Sequence, residues 1–164
     1  QKKSELISCV EKNDSNLLEN FSKLWSKKYS NHITIHRSYE YIFWKYISNP
    51  LSIHKAFIFK KNSKIYGFLG LRIKDDILSI LDIASLDIKT TLSLLRFAIY
   101  YANTNNLKMI DIWLTKNHPY RFLNILIKIL GFIFSYKLTK DLIVYSNLSD
   151  KDIHNIYFNK SFTR

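Results

Sequence analysis

The chain reads ILSILDIASLDIKTTLSLLRFAIYYANTN from residue 77 to residue 105. Its first part, from Ile77 to Ala84, is almost continuously apolar, which is typical of a strand buried on both faces. After Asp87 the apolar residues recur at helical spacing. The stretch therefore predicts a central strand followed by a helix from about Asp87 to Asn105, with an inner face formed by Ile88, Leu92, Leu95, Ile99 and Ala102.

Two helices are predicted before this stretch. From Asp14, a suitable N-cap, apolar residues fall at helical spacing to about Lys28. Ser38 can cap a second helix, which Pro50 ends. The apolar stripe of this second helix is expected to consist of Tyr39, Ile42, Phe43, Tyr46 and Ile47.

Strands surround the opening stretch on both sides. Residues 56–59 and 65–72 are predicted to form a hairpin through the polar turn 61–64, and residues 109–114 a strand after the third helix. A fourth helix is expected from Pro119 to Gly131. The last predicted strands are residues 133–136 and 142–147, which gives the order ααβββαβαββ. This order predicts a mixed α/β sheet with helices on both faces.

The composition fits one domain. The chain has 164 residues, of which 47% are hydrophobic, enough for one continuous core. Residues 1–13 carry no periodicity and are predicted to be a lead-in or linker, and residues 14–164 a single domain. The most apolar stretch, residues 122–134, is shorter than the ~20 residues that span a bilayer. No membrane span and a cytoplasmic location are therefore expected.

The net charge of +12 comes from 25 Lys and Arg against 13 Asp and Glu. A basic surface attracts nucleic acid, anionic membranes or anionic cofactors. The lysines are spread along the chain without a groove-reading motif, so a nucleic-acid-binding domain rests on charge alone and is the weakest alternative. The single cysteine, Cys9, excludes an intrachain disulfide.

Four pieces of sequence carry a family resemblance from residue 16 to the end. They are Tyr41-x-x-Trp44-Lys45-Tyr46-x-x-Asn49-Pro50, the hairpin from Lys64 to Arg72, the strand–helix–strand unit from Ile80 to Trp113, and Leu130-Gly131-Phe132. In this order and spacing the chain resembles the GNAT (GCN5-related N-acetyltransferase) superfamily. The resemblance implies the GNAT fold, an acetyl-CoA cofactor and transfer of an acyl group to an amine.

The tail and the second helix narrow the resemblance. Residues 141–152, together with Leu24-Trp25 and His36-Arg37-Ser38-x-x-Tyr41, resemble the C-terminal half of tandem bacterial GNAT proteins. This implies a second GNAT domain in the same chain as a partner, or a homodimer partner. The acceptor would be a small molecule or a peptide that bears an amine.

In an active GNAT domain the loop after the central strand presents backbone N–H groups to the CoA pyrophosphate at a helix N-terminus. The corresponding loop here, residues 84–91, has no glycine and contains Asp87. The candidate cofactor-binding residues are Ile83, Ala84, Ser85, Lys89, Thr90, Thr91 and Asn117. The alternative is that Asp87 caps the helix and occupies the donors that a phosphate would need.

The catalytic residues are also altered. Ile127 stands where the family often has the tyrosine that protonates the CoA thiolate, so Tyr120 is a displaced candidate acid. Asp82 is the candidate general base, because it interrupts a buried apolar run and must be partnered or line a cleft. Its alternative role is a carboxylate paired with a nearby basic group. Asp111, the other carboxylate, is expected to face solvent.

Two functions remain open. The first is an N-acyltransferase acting through Asp82 and Tyr120. The second is a non-catalytic GNAT-like module that packs on an active domain, shapes its acceptor site or mediates dimerisation.

Overall fold

A computed structural model describes residues 5–30, 36–49 and 53–112 of the chain. The predicted fourth helix and last two strands lie outside these residues. The elements in chain order are β1 (Glu5–Cys9), a 3₁₀ turn (Lys12–Asp14), α1 (Ser15–Lys28), α2 (Tyr39–Phe43) with a π-helical turn after it (Trp44–Ser48), β2 (His54–Lys61), β3 (Lys64–Lys74), β4 (Ile77–Ser85), α3 (Ile88–Thr104) and β5 (Met109–Ile112).

The five strands form one mixed sheet. Their order in space is β1-β2-β3-β4-β5, with antiparallel pairing from β1 to β4. β5 lies parallel to β4, and α3 forms the crossover connection that two parallel strands require. The predicted α/β class with a central strand from Ile77 is confirmed.

β1 corrects the interpretation of the N-terminal residues. The sequence predicts a lead-in or linker over residues 1–13, but Glu5–Cys9 pairs antiparallel with β2, from Glu5 opposite Lys61 to Cys9 opposite Phe57. The pairing continues where Val10 N donates to Ala56 O at 3.0 Å. A five-residue edge strand with one partner carries too few apolar residues for a period to be visible, so the assignment was wrong for these residues.

Two tight hairpins join β2 to β3 and β3 to β4. Asn62 and Ser63 have φ angles of 48° and 61°, and Asp75 and Asp76 have φ angles of 52° and 59°. Positive φ at both positions is characteristic of the type I′ hairpin loop, whose backbone twist matches that of the strands. Asn and Asp tolerate this conformation because their side chains bond to nearby backbone.

Helices cover both faces of the sheet, as predicted. α3 packs on one face, where the Phe57 and Phe97 rings are 4.8 Å apart. α1 and the π-helical turn pack on the other face, where the Tyr46 ring lies 5.6 Å from Phe68. Within the described residues, none of the helices is long and apolar enough to cross a membrane.

The buried face of α3 differs from the prediction. Leu95 and Ala102 are buried as expected, but Ile88 is 44% exposed, and Leu92 and Ile99 are only partly buried. The residues that complete the inner face are Thr90, Thr91, Leu94 and Ala98. Apolar residues occur around most of this helix, so spacing alone did not fix which stripe faces the sheet.

The buried face of the second helix also differs from the prediction. The predicted stripe included Ile47, which is 38% exposed, whereas Lys45 is only 8% exposed. The buried residues are Ile42, Lys45 and Tyr46, which lie at i, i+3 and i+4 and so share one face of a helix. A lysine thus takes a place on the buried face that the prediction gave to Ile47.

Candidate active site

An aspartate of the β4–α3 loop caps the helix that follows. Asp87 Oδ1 accepts a hydrogen bond from Thr90 N at 2.7 Å, and Thr91 N donates to Asp87 O at 3.1 Å. Asp87 is therefore the N-cap of α3, which confirms the capping interpretation. The backbone N–H group of Thr90, which an anion would need, is already bonded to a carboxylate.

The hydroxyl groups of Ser85 and Thr91 bond within the loop. Ser85 Oγ donates to Asp87 O at 2.9 Å and lies 2.5 Å from Thr91 Oγ1. Thr90 and Thr91 are 3% and 0% exposed, whereas Lys89 is exposed. Thr91 Oγ1 also donates to Asp87 O, so this hydroxyl is bonded inside the loop. The contribution of Thr90 and Thr91 to cofactor binding stays a prediction.

Ile83 and Ala84 lie in the last part of β4. Both are buried and pair with Leu69 and Phe68 of β3. On the other side of β4, the register with β5 runs from Ile77 opposite Met109 to Ile80 opposite Ile112. The residues of β4 beyond Ile80 thus extend past the described end of β5.

The Asp87 carboxylate occupies one of the donors that a CoA pyrophosphate would need. A bound pyrophosphate needs several free backbone N–H groups and a close backbone approach, which glycine allows. Here the carboxylate of Asp87 would repel the phosphates and compete for Thr90 N. Lys28 Nζ donates to Leu86 O and so bonds to the loop itself, and Lys89 is a second, exposed cation of the loop.

Asp82, the candidate base, is fully buried and paired. Arg37 donates to its Oδ1 from Nε at 3.1 Å and from Nη2 at 2.8 Å, and Arg37 itself is 1% exposed. The guanidinium also lies over the Trp25 ring, 5.0 Å from its centroid. The alternative of a carboxylate paired with a basic group is therefore the one observed. Accepting a proton would cancel the charge on which this pair depends, so the geometry favours a structural role for Asp82.

Arg37 was not identified from the sequence as a site residue. A buried carboxylate such as that of Asp82 needs a cation, so the sequence indicated that a partner existed. It could not show which of the 25 Lys and Arg residues was the partner, because Arg37 and Asp82 are 45 residues apart.

A second group of polar side chains surrounds the π-helical turn. Lys45 Nζ donates to Tyr41 Oη at 3.1 Å, and burial lowers the pKa of Lys45 to about 8, partly offset by the charge of Asp82. Burial, and then the Asp82 carboxylate, raise the pKa of the Tyr46 phenol. His54 Nδ1 lies 3.2 Å from Lys45 O, and burial lowers the pKa of its imidazole.

The remaining predicted residues are distributed as follows. Asn117, Tyr120 and Ile127 lie outside the described residues, so their roles stay predictions. Asp111 is partly buried rather than solvent-facing, and Trp44, which belongs to the sequence pattern of the second helix, is 63% exposed. In the described part of the chain, no three His, Cys, Asp or Glu side chains come together to hold a metal ion.

Comparison with solved structures identifies the architecture. A predicted acetyltransferase from Clostridium acetobutylicum with acetyl-CoA superposes with a TM-score of 0.59, covering 84% of this chain and 95% of that one at 14% identity. The chain has the GNAT fold. The ribosomal-protein-S18-alanine N-acetyltransferase of Escherichia coli gives a TM-score of 0.56 over 78% of this chain and 77% of that one, at 15% identity.

The GNAT fold is the extent of what these likenesses show. A transcriptional regulator from Bacillus halodurans C-125 reaches a TM-score of 0.63 over 84% of this chain and 99% of that one, at 14% identity. No family model matches the sequence, and no curated protein matches it. Identities this low carry the fold without the function, because function depends on the individual site.

Proposed function

We propose that this chain is an N-acyltransferase-type GNAT domain whose own acyl-CoA loop is degenerate. Transfer of an acetyl group to an amine would then be an activity of a longer parent protein. The observation that carries the proposal is the hydrogen bond from Thr90 N to Asp87 Oδ1 at 2.7 Å, which occupies the helix N-terminus with the protein's own carboxylate.

The fold supports the acyltransferase part of this proposal. GNAT neighbours include acetyltransferases, one of them with acetyl-CoA. The loop supports the degenerate part, since the hydroxyls of Ser85 and Thr91 bond inside it and residues 84–91 contain no glycine. The acceptor would be an amine on a small molecule or a peptide. A second GNAT domain in the same chain or a second copy of this chain would supply the intact cofactor site, in the cytoplasm.

A second candidate is a non-catalytic GNAT-like module that binds an acceptor or another protein. The buried pair of Asp82 with Arg37 favours it, because the carboxylate best placed in the sequence to act as a base is committed to an ion pair. This module would shape an acceptor site on an active domain without binding CoA.

Calorimetric titration of acetyl-CoA into the chain at low and high salt tests the proposal. We expect only weak attraction that salt removes, because exposed charges are screened at high ionic strength. In the Asp87→Gly variant, Thr90 N is released and the backbone can approach a phosphate, so binding should become saturable and survive salt. Loss of the cap would lower the stability of α3 only slightly, since glycine is a tolerated N-cap.

Asp76→Gly is the matched control for this experiment. It also removes one carboxylate, in a hairpin where φ is 59° and glycine fits, and it should leave binding as in the unmodified chain. Saturable, salt-resistant binding by the unmodified chain would contradict a degenerate loop. Absence of binding in Asp87→Gly as well would favour the non-catalytic module.

A further inference from the structure

Polar residues from three elements lie around His54, on the face of the sheet that packs against the π-helical turn. His54 Nδ1 lies 3.2 Å from Lys45 O, and the His54 ring is 6.0 Å from the Tyr46 ring. Across the β2–β3 pair, His54 is directly opposite Arg72. Side chains at opposite positions of an antiparallel pair are close neighbours on one face. Lys45, Tyr46, His54 and Arg72 are called the His54 cluster below.

Two donors in the His54 cluster are buried without an acceptor. Tyr46 Oη and Arg72 Nε have no hydrogen-bond partner among residues 5–30, 36–49 and 53–112. Tyr46 as a whole is 3% exposed. A buried donor without an acceptor costs folding free energy that an acceptor would recover. Such donors therefore indicate an acceptor that the described residues do not supply.

The charges around the His54 cluster indicate which kind of group would accept hydrogen bonds from these donors. The charged side chains that shift the pKa values of Lys45 and His54 are Arg37, Lys45 and Arg72 on the positive side and Asp82 on the negative side. Asp82 already pairs with Arg37. Lys45 and Arg72 add two positive charges beside that pair, in a partly buried place where electrostatic interactions are stronger than in water. A water molecule could accept from the same donors, but it would not balance this charge.

The His54 cluster also reaches the protein surface. His54 and Arg72 are partly exposed, and their neighbours Ile53 and Trp44 are 45% and 63% exposed. A small ligand could thus place one group in the cluster and pack an apolar part on Trp44. A lysine can bind a phosphate as a point charge. An arginine N–H can donate a hydrogen bond to either a phosphate or a carboxylate.

We propose that the His54 cluster binds a small oxyanion, the carboxylate or phosphate group of a small molecule, through Arg72, Lys45 and Tyr46 Oη. If the chain is an acyltransferase-type domain, this group would belong to the amine acceptor, and that identification rests on the proposed function. Anion binding itself does not rest on it. The acceptor would then be an amine that also carries a negative charge.

Titration calorimetry with inorganic phosphate and, separately, with acetate tests the proposal at pH 7, with ionic strength held constant and no acyl-CoA present. We expect saturable binding of at least one anion. The anion that binds more tightly identifies the group as a phosphate or a carboxylate. Arg72→Met and Lys45→Met should each weaken binding about tenfold or more, because charge-assisted hydrogen bonds are the stronger ones. Tyr46→Phe, which keeps the ring, should weaken it by roughly threefold to tenfold.

Lys55→Met is the matched control. Lys55 Nζ also donates to a tyrosine hydroxyl, Tyr101 Oη at 2.8 Å, but it lies on the α3 side of the sheet and outside the cluster. The Lys55→Met substitution removes the same charge as Lys45→Met and should leave anion binding unchanged.

Circular dichroism checks that each variant is folded. If Arg72→Met does not fold, Tyr46→Phe provides the test. Absence of saturable binding by the unmodified chain, or equal weakening by Lys55→Met, would overturn the proposal. Because acyl-CoA takes no part, this outcome is independent of the fate of the proposed function.

Discussion

At the scale of single residues, the most consequential contact is the ion pair between Arg37 and Asp82. Both side chains are essentially inaccessible to solvent, at 1% and 0% exposure, and Arg37 also packs on Trp25. A buried pair of this kind gains little over apolar residues of the same volume, but removing one partner leaves a buried charge. The pair fixes the segment before α2 to β4, the strand that also carries the candidate cofactor loop.

Removing either partner should therefore destabilise the chain strongly. We expect Arg37→Met to lower the free energy of unfolding by about 3–5 kcal/mol, because Asp82 would remain buried and uncompensated. The double variant Arg37→Met with Asp82→Leu should be more stable than the sum of the two single changes implies. Urea denaturation followed by circular dichroism measures both quantities.

The pair of Lys108 with Asp76 gives the control, since its side chains are 81% and 57% exposed. Lys108→Met should leave stability almost unchanged, because exposed ion pairs contribute little. If Arg37→Met were no more destabilising than Lys108→Met, the buried pair would not have the structural role assigned to it.

At the scale of elements, the contact that positions the π-helical turn is the packing of Tyr46 on β3. A Cβ atom built on Gly70 would overlap Tyr46 Oη and Cζ. The absence of a side chain at Gly70 thus makes room for the tyrosine that lies between the turn and the sheet. On the opposite face, a Cβ on Gly67 would lie 2.6 Å from Thr90 Cγ2, so glycines of β3 allow close packing of helices on both sides.

Gly70→Ala should displace Tyr46 and destabilise the chain by about 1–3 kcal/mol, the usual cost of overpacking a core. Tyr46→Leu in the Gly70→Ala background should recover part of this loss, because leucine does not reach the position of the phenol. A thermodynamic cycle of the four proteins in urea measures the coupling. Additive effects of the two changes would show that Tyr46 does not pack on Gly70 as described.

At the scale of the whole molecule, the sheet depends on an N-terminal strand that has only one neighbour. β1 covers the edge of β2, and Ile7 packs partly buried against the core. An uncovered strand edge presents unpaired N–H and C=O groups and favours association with other chains.

Deletion of residues 1–10 should thus lower the melting temperature and promote self-association through β2. For a domain of this size, each 1 kcal/mol lost lowers Tm by about 2–4 °C. Thermal melting and sedimentation velocity give the two readouts, with deletion of residues 1–4 as the control that leaves β1 intact. An unchanged Tm on deletion of residues 1–10 would mean that β1 adds nothing to the stability of the sheet.

Much of the fold was predictable because its signals are local. The continuous apolar run in β4, the Asp87 cap of α3, the Ser38 cap of α2 and the two polar hairpin turns each occupy fewer than about ten residues. Alternation, helical spacing and turn chemistry act over that distance. The mixed sheet with helices on both faces follows from the order of these elements.

The candidate site was predictable only in part, for the same reason. The sequence by itself determined that Asp87 is a suitable cap for α3 and that Asp82 requires a partner or a cleft. The tertiary structure alone decided that the partner is Arg37, that Lys45 rather than Ile47 is buried, that β1 joins the sheet, and that His54 and Arg72 lie opposite each other. These features depend on contacts between residues far apart in the chain, and no local pattern encodes which distant side chain will fill a given place in the core.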